Sequence, residues 1–234
     1  MRILPRNDHR QYDDLAGEWW RPDGAFAMLH WLAEARARLV PPAARPGAVL
    51  VDIGCGGGLL TPHLLGKGYH HVGVDLTHSA LAQAAGRDLT PVRADAGALP
   101  LADGCADVVV AGEILEHVPD LPRAVAEACR VLRRGGLLVL DTLNATALSR
   151  LVAVTLAERV PGVPRRLHDP ALFVDPWVLR RECARHGVAL AVRGVRPTVA
   201  GLVAWLAGVG GGHGRIVPTW SVAILYQGRG TKIG

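Results

Sequence analysis

Val49-Leu50-Val51-Asp52-Ile53-Gly54-Cys55-Gly56-Gly57-Gly58 is the stretch that decides the fold. An apolar, β-branched run ends in an acid and then opens into four glycines among five residues. Leu59 to Leu65 follows with the spacing of a helix that packs against a sheet. Strand, glycine turn and helix are the parts from which a doubly wound α/β domain builds a nucleotide site. Glycine makes the tight turn and lets a ligand approach the backbone, while a helix N-terminus offers unpaired N–H groups. Glycine-rich turns also serve purely structural ends, so the flanking chain has to decide.

Working outward, apolar strands alternate with helical segments. Val49 to Ile53, His71 to Val74, Thr90 to Ala94, Ala106 to Ala111 and Leu137 to Thr142 read as strands one to five, and Leu121 to Leu132 reads as a helix before the last of them. Such alternation implies a parallel sheet with right-handed crossovers. Ligands of these sheets sit beyond the C-terminal strand ends. Asp52, Asp75, Asp95 and Glu113 fall at or just after those ends. A single acid there is commonly a helix cap or simply solvated; four in succession suggest a site. Asp75, some twenty residues past the turn, suits both hydroxyls of a ribose. The turn reads G-C-G-G-G and lacks the G-x-G-x-x-G that cradles a pyrophosphate, which favours a nucleoside cofactor without phosphates. Asp95, in the context Ala-Asp-Ala, is placed for the exocyclic amine of an adenine.

Length and composition bound the rest. At 234 residues, 50% hydrophobic and 20% charged, the chain is long and apolar enough for one globular domain with a substantial core. The net charge of +5 comes mostly from dispersed arginines without a basic run, which argues against nucleic acid. Cys55, Cys105, Cys129 and Cys183 show no C-x-x-C spacing, which suits a reducing cytoplasm and argues against a structural zinc site. Met1 to Trp20 has no apolar signal core, and Val199 to Val209 falls short of the roughly 20 residues needed to cross a bilayer. Residues 1–46 form a helical cap, with Met1 to Asn7 a loose end and Phe26, Leu29, Leu32 and Leu39 marking a helix that Pro41-Pro42 stops. Residues 47–144 form the core of a single domain, 145–170 an insert, and 171–234 the remainder. Trp19-Trp20 is either plain packing or a wall of a ligand cleft.

The strand-end acids and the glycine turn together resemble the class I S-adenosylmethionine (SAM) methyltransferases over Val49 to Thr142. A narrower resemblance covers almost the whole chain. YDDLAGEWWRPDGAF (12–26), LVDIGCGGGLL (50–60), EILEHVPD (113–120), LRRGGLLVLDTLN (132–144) and RLHDPALFVDP (166–176) stand in the order seen in the O-methyltransferases of ubiquinone biosynthesis. That resemblance implies a Rossmann-like, doubly wound, mostly parallel sheet of seven strands with helices on both faces and a reversed last hairpin, here Val188 to Val192 and Ser221 to Tyr226. It implies SAM bound by Asp52, Gly54, Cys55, Gly56, Asp75, Leu76, Asp95, Ala96 and Glu113. Arg36 matches the arginine placed for the SAM carboxylate, although the family's Asn-Pro pair is here Ala33-Glu34.

Glu113-Ile114-Leu115-Glu116-His117 carries the acceptor chemistry. A phenol, with a pKa of about 10, is barely ionised at neutral pH, so methylation speeds up if the hydroxyl loses its proton on approach. His117 suits a general base. Alternatively Glu113, Glu116 and His117, with Asn144 as a further ligand, suit Mg²⁺ or Zn²⁺ that would lower the acceptor pKa, and some members of the resembling family depend on a divalent metal. The plainer alternative is that Glu116 and His117 merely begin the next helix, with Glu113 alone touching the cofactor. His168-Asp169 matches the family's His-Asp pair, with a capping or site-closing role. Within 145–168, Leu148, Leu151, Val152, Thr155 and Leu156 mark one face and Arg150, Arg159, Arg165 and Arg166 add positive charge. This is a lid over the acceptor, a helix packed on the domain, or an amphipathic surface that touches a membrane peripherally. Ala207 to Gly214 is glycine-rich, and Gly208 to Gly214 reads as a mobile loop. The expected partner is a small aromatic acceptor, quinone-precursor-like or a specialised metabolite. Rivals are an N- or C-methyltransferase, a non-catalytic SAM-binding partner protein and a nicotinamide dehydrogenase.

Overall fold

The structure, a computed structural model, describes residues 4–21, 23–160, 162–208 and 214–233. A short helix α1 (Gln11–Asp14), a 3-10 turn (Ala16–Glu18) and α2 (Ala27–Ala37) precede the sheet. Then come β1 (Ala48–Ile53), β2 (Tyr69–Asp75), α3 (His78–Ala84), β3 (Thr90–Arg93), β4 (Ala106–Gly112), α4 (Leu121–Val131) and β5 (Leu132–Leu143). The insert holds α5 (Ala147–Ser149), which widens into a π-helix over Arg150–Leu156 and tightens into a 3-10 turn over Ala157–Arg159. The chain continues with α6 (Pro176–Arg185), β6 (Val188–Pro197), α7 (Val199–Leu206), β7 (Ile216–Thr219) and β8 (Leu225–Lys232).

The sheet runs β3-β2-β1-β4-β5-β8-β6-β7. The first five strands are parallel, and β8 joins antiparallel to both β5 and β6. Successive residues alternate between two cores. Val51, Ile53, Val109, Leu138 and Leu140 pack on one face with Leu179 of α6 and Val125 of α4; Leu50, Val108, Val110 and Val139 pack on the other with Ala37 and Val40. Both faces are covered, which is why these strands read as continuous apolar runs.

The sheet has eight strands where seven are expected. The extra one, β7, pairs among the described residues only with β6 and contains Pro218; an edge strand tolerates proline because one side of its ladder is unused. The final strand lies at Leu225–Lys232, not Ser221 to Tyr226. Its Gly228 and Gly230 lack strand propensity, but a Cβ at Gly228 would stand 2.8 Å from Leu140 Cδ1 and 3.1 Å from Leu190 Cδ1, so close packing of both neighbours selects glycine. After the glycine turn, the expected helix over Leu59 to Leu65 is only a 3-10 turn at Thr61–His63, with bonds such as Thr61 N–H to Gly58 O. Leu59, Leu60 and Leu64 are buried as a helix would bury them, but Pro62 and the flanking glycines stop propagation. The N–H groups at this turn therefore belong to the loop. Leu4 to Asn7 is tied down: Asn7 N–H donates to Arg166 O at 3.0 Å, and Arg6 pairs with Glu158 at 2.6 Å. Residues 209–213 of the glycine-rich stretch lie outside the described residues. No helix among the described residues is long and apolar enough to cross a membrane.

Candidate active site

One cavity of about 1220 Å³ opens along the C-terminal ends of the parallel strands. That exceeds the roughly 300–1,000 Å³ of a site for one drug-sized molecule, so it has room for a cofactor and an acceptor together. Asp52, Gly54, Cys55 and Gly56 line it from the β1 turn, and Asp75 and Leu76 from the end of β2. Asp95 and Ala96 line it after β3, Glu113 after β4, and Arg36 from α2. His117 lines the same cavity; Glu116 and Asn144 do not.

The glycine turn is shaped by its neighbours. Gly54 and Gly56 have φ of +71° and +51°. A Cβ on Gly54 would meet Ile114 at 2.7 Å, and one on Gly56 would stand 2.4 Å from the Trp19 ring. Trp19 is buried against the turn and lines the cavity, so it is both packing and wall. Trp20 donates its indole N–H to Gly57 O at 3.0 Å and lies under the Arg87 guanidinium. Asp75 accepts from Gly56 N–H at 2.9 Å and from Thr77 N–H at 2.8 Å. These bonds fix a carboxylate that keeps lone pairs for ribose hydroxyls, while burial pushes its pKa up. Asp95 accepts from Gly97 N–H at 2.7 Å through one oxygen and keeps the other. The Trp19 indole N–H and Glu113 Oε1 are buried, line the cavity and have no partner.

Arg36 is held by Asp141 in a buried fork of two 2.8 Å bonds, from Nε to Oδ2 and from Nη2 to Oδ1. Its guanidinium covers Gly112, where a Cβ would lie 1.8 Å from Cζ. Nη1 takes no part in that fork. Glu113 stands at φ +51°, the left-handed region that few side chains adopt. Burial, then the charges of Glu116 and Asp141, push its carboxyl pKa well above the usual range.

His117 closes the 3-10 turn Leu115–His117. Asn7 holds it twice, through Nδ2 to the His117 carbonyl at 2.8 Å and through Oδ1 at 2.5 Å from ring Nδ1. Burial, then the neighbouring His168, pushes its pKa down to about 3, so the ring is neutral. The His168 ring stacks on it at 5.1 Å. Glu116 is fully buried; Oε2 accepts from Thr142 Oγ1 at 2.8 Å and Oε1 has no partner. Among the described residues, the donor atoms that converge are those of Glu116, His117 and His168, all within 4.8 Å of one another. Glu113 is absent from that group, and Asn144 uses its amide N–H on Val222 O at 2.7 Å. Asn7 gave no sequence signal as a site residue, and Asp141 gave only its place near a strand end; their partners lie 110 and 105 positions away.

A methyltransferase-domain family model matches residues 51–140. The ubiquinone biosynthesis O-methyltransferase of Thiobacillus denitrificans is 36% identical over 190 residues, covering 76% of this chain and 81% of that protein. Its counterpart from Paraburkholderia xenovorans is 39% identical over 177 residues, covering 71% and 76%. The chain belongs to the ubiquinone biosynthesis O-methyltransferase family. A solved SAM-dependent methyltransferase from Thermotoga maritima shares the fold at a TM-score of 0.66 and 18% identity, covering 95% of this chain and 97% of that one. Like its family, the protein is a SAM-dependent methyltransferase, and the cavity fits that cofactor. The turn holds bare backbone, Asp75 keeps free lone pairs, and two buried polar atoms lack partners there. Asp75→Ala is therefore expected to weaken S-adenosylhomocysteine binding by about 1–3 kcal/mol through lost charged hydrogen bonds. Calorimetry reads it directly, and an unchanged affinity would remove Asp75 from the site.

Proposed function

We propose that the protein methylates a phenolic or catecholic hydroxyl on an aromatic acceptor bearing an apolar tail. The observation that carries this is one continuous cavity. It runs from the glycine turn and Asp75, past a neutral His117, to apolar walls formed by the insert and α7. The cofactor supplies an electrophilic methyl group. The acceptor oxygen bonds to that carbon as the carbon–sulfur bond breaks, and His117 takes the phenolic proton. An amine is already nucleophilic and would need no such base.

The tail follows from the rim. Leu148, Leu156, Val199, Val203 and Leu206 all line the cavity and are all 47–67% exposed. Exposed Arg150, Arg159 and Arg165 stand nearby in sequence. An apolar mouth with exposed arginines close by in sequence suits peripheral contact with an anionic membrane from the cytoplasmic side.

Convergence of Glu116, His117 and His168 favours a second reading, in which a divalent cation assists. One oxygen and two imidazoles suit Zn²⁺ better than Mg²⁺, which prefers oxygen ligands. Bound there, the cation would lower the pKa of an acceptor oxygen.

Methyl-labelled SAM supplied with catechols of increasing alkyl length tests both. Label is expected in a phenolic ether, with KM falling as the tail grows. Label on amines alone would contradict the proposal, and loss of turnover in chelator, restored by Zn²⁺, would establish the second reading.

A further inference from the structure

We infer that Asn7 is a positioning residue that fixes His117 in the tautomer able to accept a proton; this rests on the reading of His117 as the base. The chain of constraints starts at a backbone carbonyl. His117 O can only accept, so the 2.8 Å contact from Asn7 must come from its Nδ2. That orients the amide and places Oδ1 against His117 Nδ1 at 2.5 Å. An amide oxygen cannot donate, so the shared hydrogen belongs to Nδ1. A neutral imidazole carries one N–H, which leaves the lone pair on Nε2. Without Asn7 the ring is free to carry its proton on Nε2, where it blocks the base.

Asn7 is itself held for this task. Its φ of +60° lies in the left-handed region that asparagine tolerates. Its N–H donates to Arg166 O at 3.0 Å, and Gln11 Nε2 donates to the same carbonyl at 3.1 Å. Next to it, Arg6 bonds Glu158 and donates to His168 O at 3.0 Å. The N-terminal strap is thereby fastened to the far end of the insert, whose His168 stacks on His117. A residue that only fastened the strap would leave the imidazole tautomer unaffected.

Long-range ¹H–¹⁵N spectra of the full-length protein test this. With ten histidines in the chain, the His117 signals are identified by their loss in His117→Gln. The wild type should show a protonated Nδ1 and an unprotonated Nε2. Asn7→Gly keeps the positive φ without strain and removes the side chain. It should shift the proton toward Nε2 and lower kcat on a catechol by about 10–100-fold, with S-adenosylhomocysteine affinity unchanged. Asn7→Asp still offers an acceptor oxygen and should keep the Nδ1–H signal. An Asn7→Gly protein that retains Nδ1–H, or loses it with kcat intact, would overturn the inference. Full turnover in His117→Gln would instead contradict the base, and the tautomer signal reads Asn7 independently of any acceptor.

Discussion

His117→Ala is expected to leave S-adenosylhomocysteine affinity unchanged and to lower turnover on a catechol by about 10²-fold or more. On the proposed reading the two effects separate, because Asp75 and the glycine turn, which would hold the cofactor, and His117, which would act as the base, are separate parts of one cavity lining. Asp75 and the glycine turn are held by backbone bonds that do not involve His117. The hydroxyl, in contrast, with a pKa of about 10, must lose its proton as the new bond forms. Neighbouring groups do not substitute. Glu116 does not line the cavity, and burial and nearby carboxylates push the Glu113 pKa up, which disfavours its charged form. Steady-state kinetics beside calorimetry gives both numbers. Full activity in the variant would remove His117 from the mechanism.

Asp141→Ala should destabilise the protein by about 3–5 kcal/mol, because it leaves the buried Arg36 guanidinium without its counter-charge. For a chain of this size that corresponds to a fall in Tm of roughly 6–20 °C. Asp141 is fully buried and Arg36 nearly so, and the fork uses both carboxylate oxygens. Pairing of Arg36 above Gly112 also joins the N-terminal cap to β4 and β5 at the cavity wall. Replacing both partners, as Arg36→Met with Asp141→Leu, should recover much of the stability while leaving cofactor affinity impaired. Chemical denaturation and calorimetry on the two variants check this; an Asp141→Ala protein as stable as wild type would show that the ion pair is not what holds Arg36.

The central strands were legible because parallel strands buried on both faces carry unbroken apolar runs that end in acids. Of the last three, β6 was expected where it begins, at Val188 to Val192, but β7 and most of β8 were not legible. Pro218, Gly228 and Gly230 argue against strands locally, and only the edge position of β7 and the closeness of Leu140 and Leu190 make them strands. Leu59 to Leu65 shows the opposite error: its apolar spacing is genuine and Leu59, Leu60 and Leu64 are buried, but periodicity does not report whether bonds close at three or four residues. In the site, the acids of β1 to β4 followed a strand-end rhythm. Asp141 continues that rhythm on β5, yet its role depends on an arginine 105 residues away. Asn7 sits in a stretch with no periodicity at all, and its partner is set by how the strap crosses the cavity. His168 showed itself as half of a His-Asp pair but not as a neighbour of His117.

A crystal structure of the protein with S-adenosylhomocysteine and a catechol tests the central claim most directly. The expected result places the ribose hydroxyls on Asp75 and a catechol oxygen within hydrogen-bond reach of His117 Nε2, in line with the sulfur. A catechol oxygen bound away from His117, or a ribose held elsewhere than at Asp75, would contradict it.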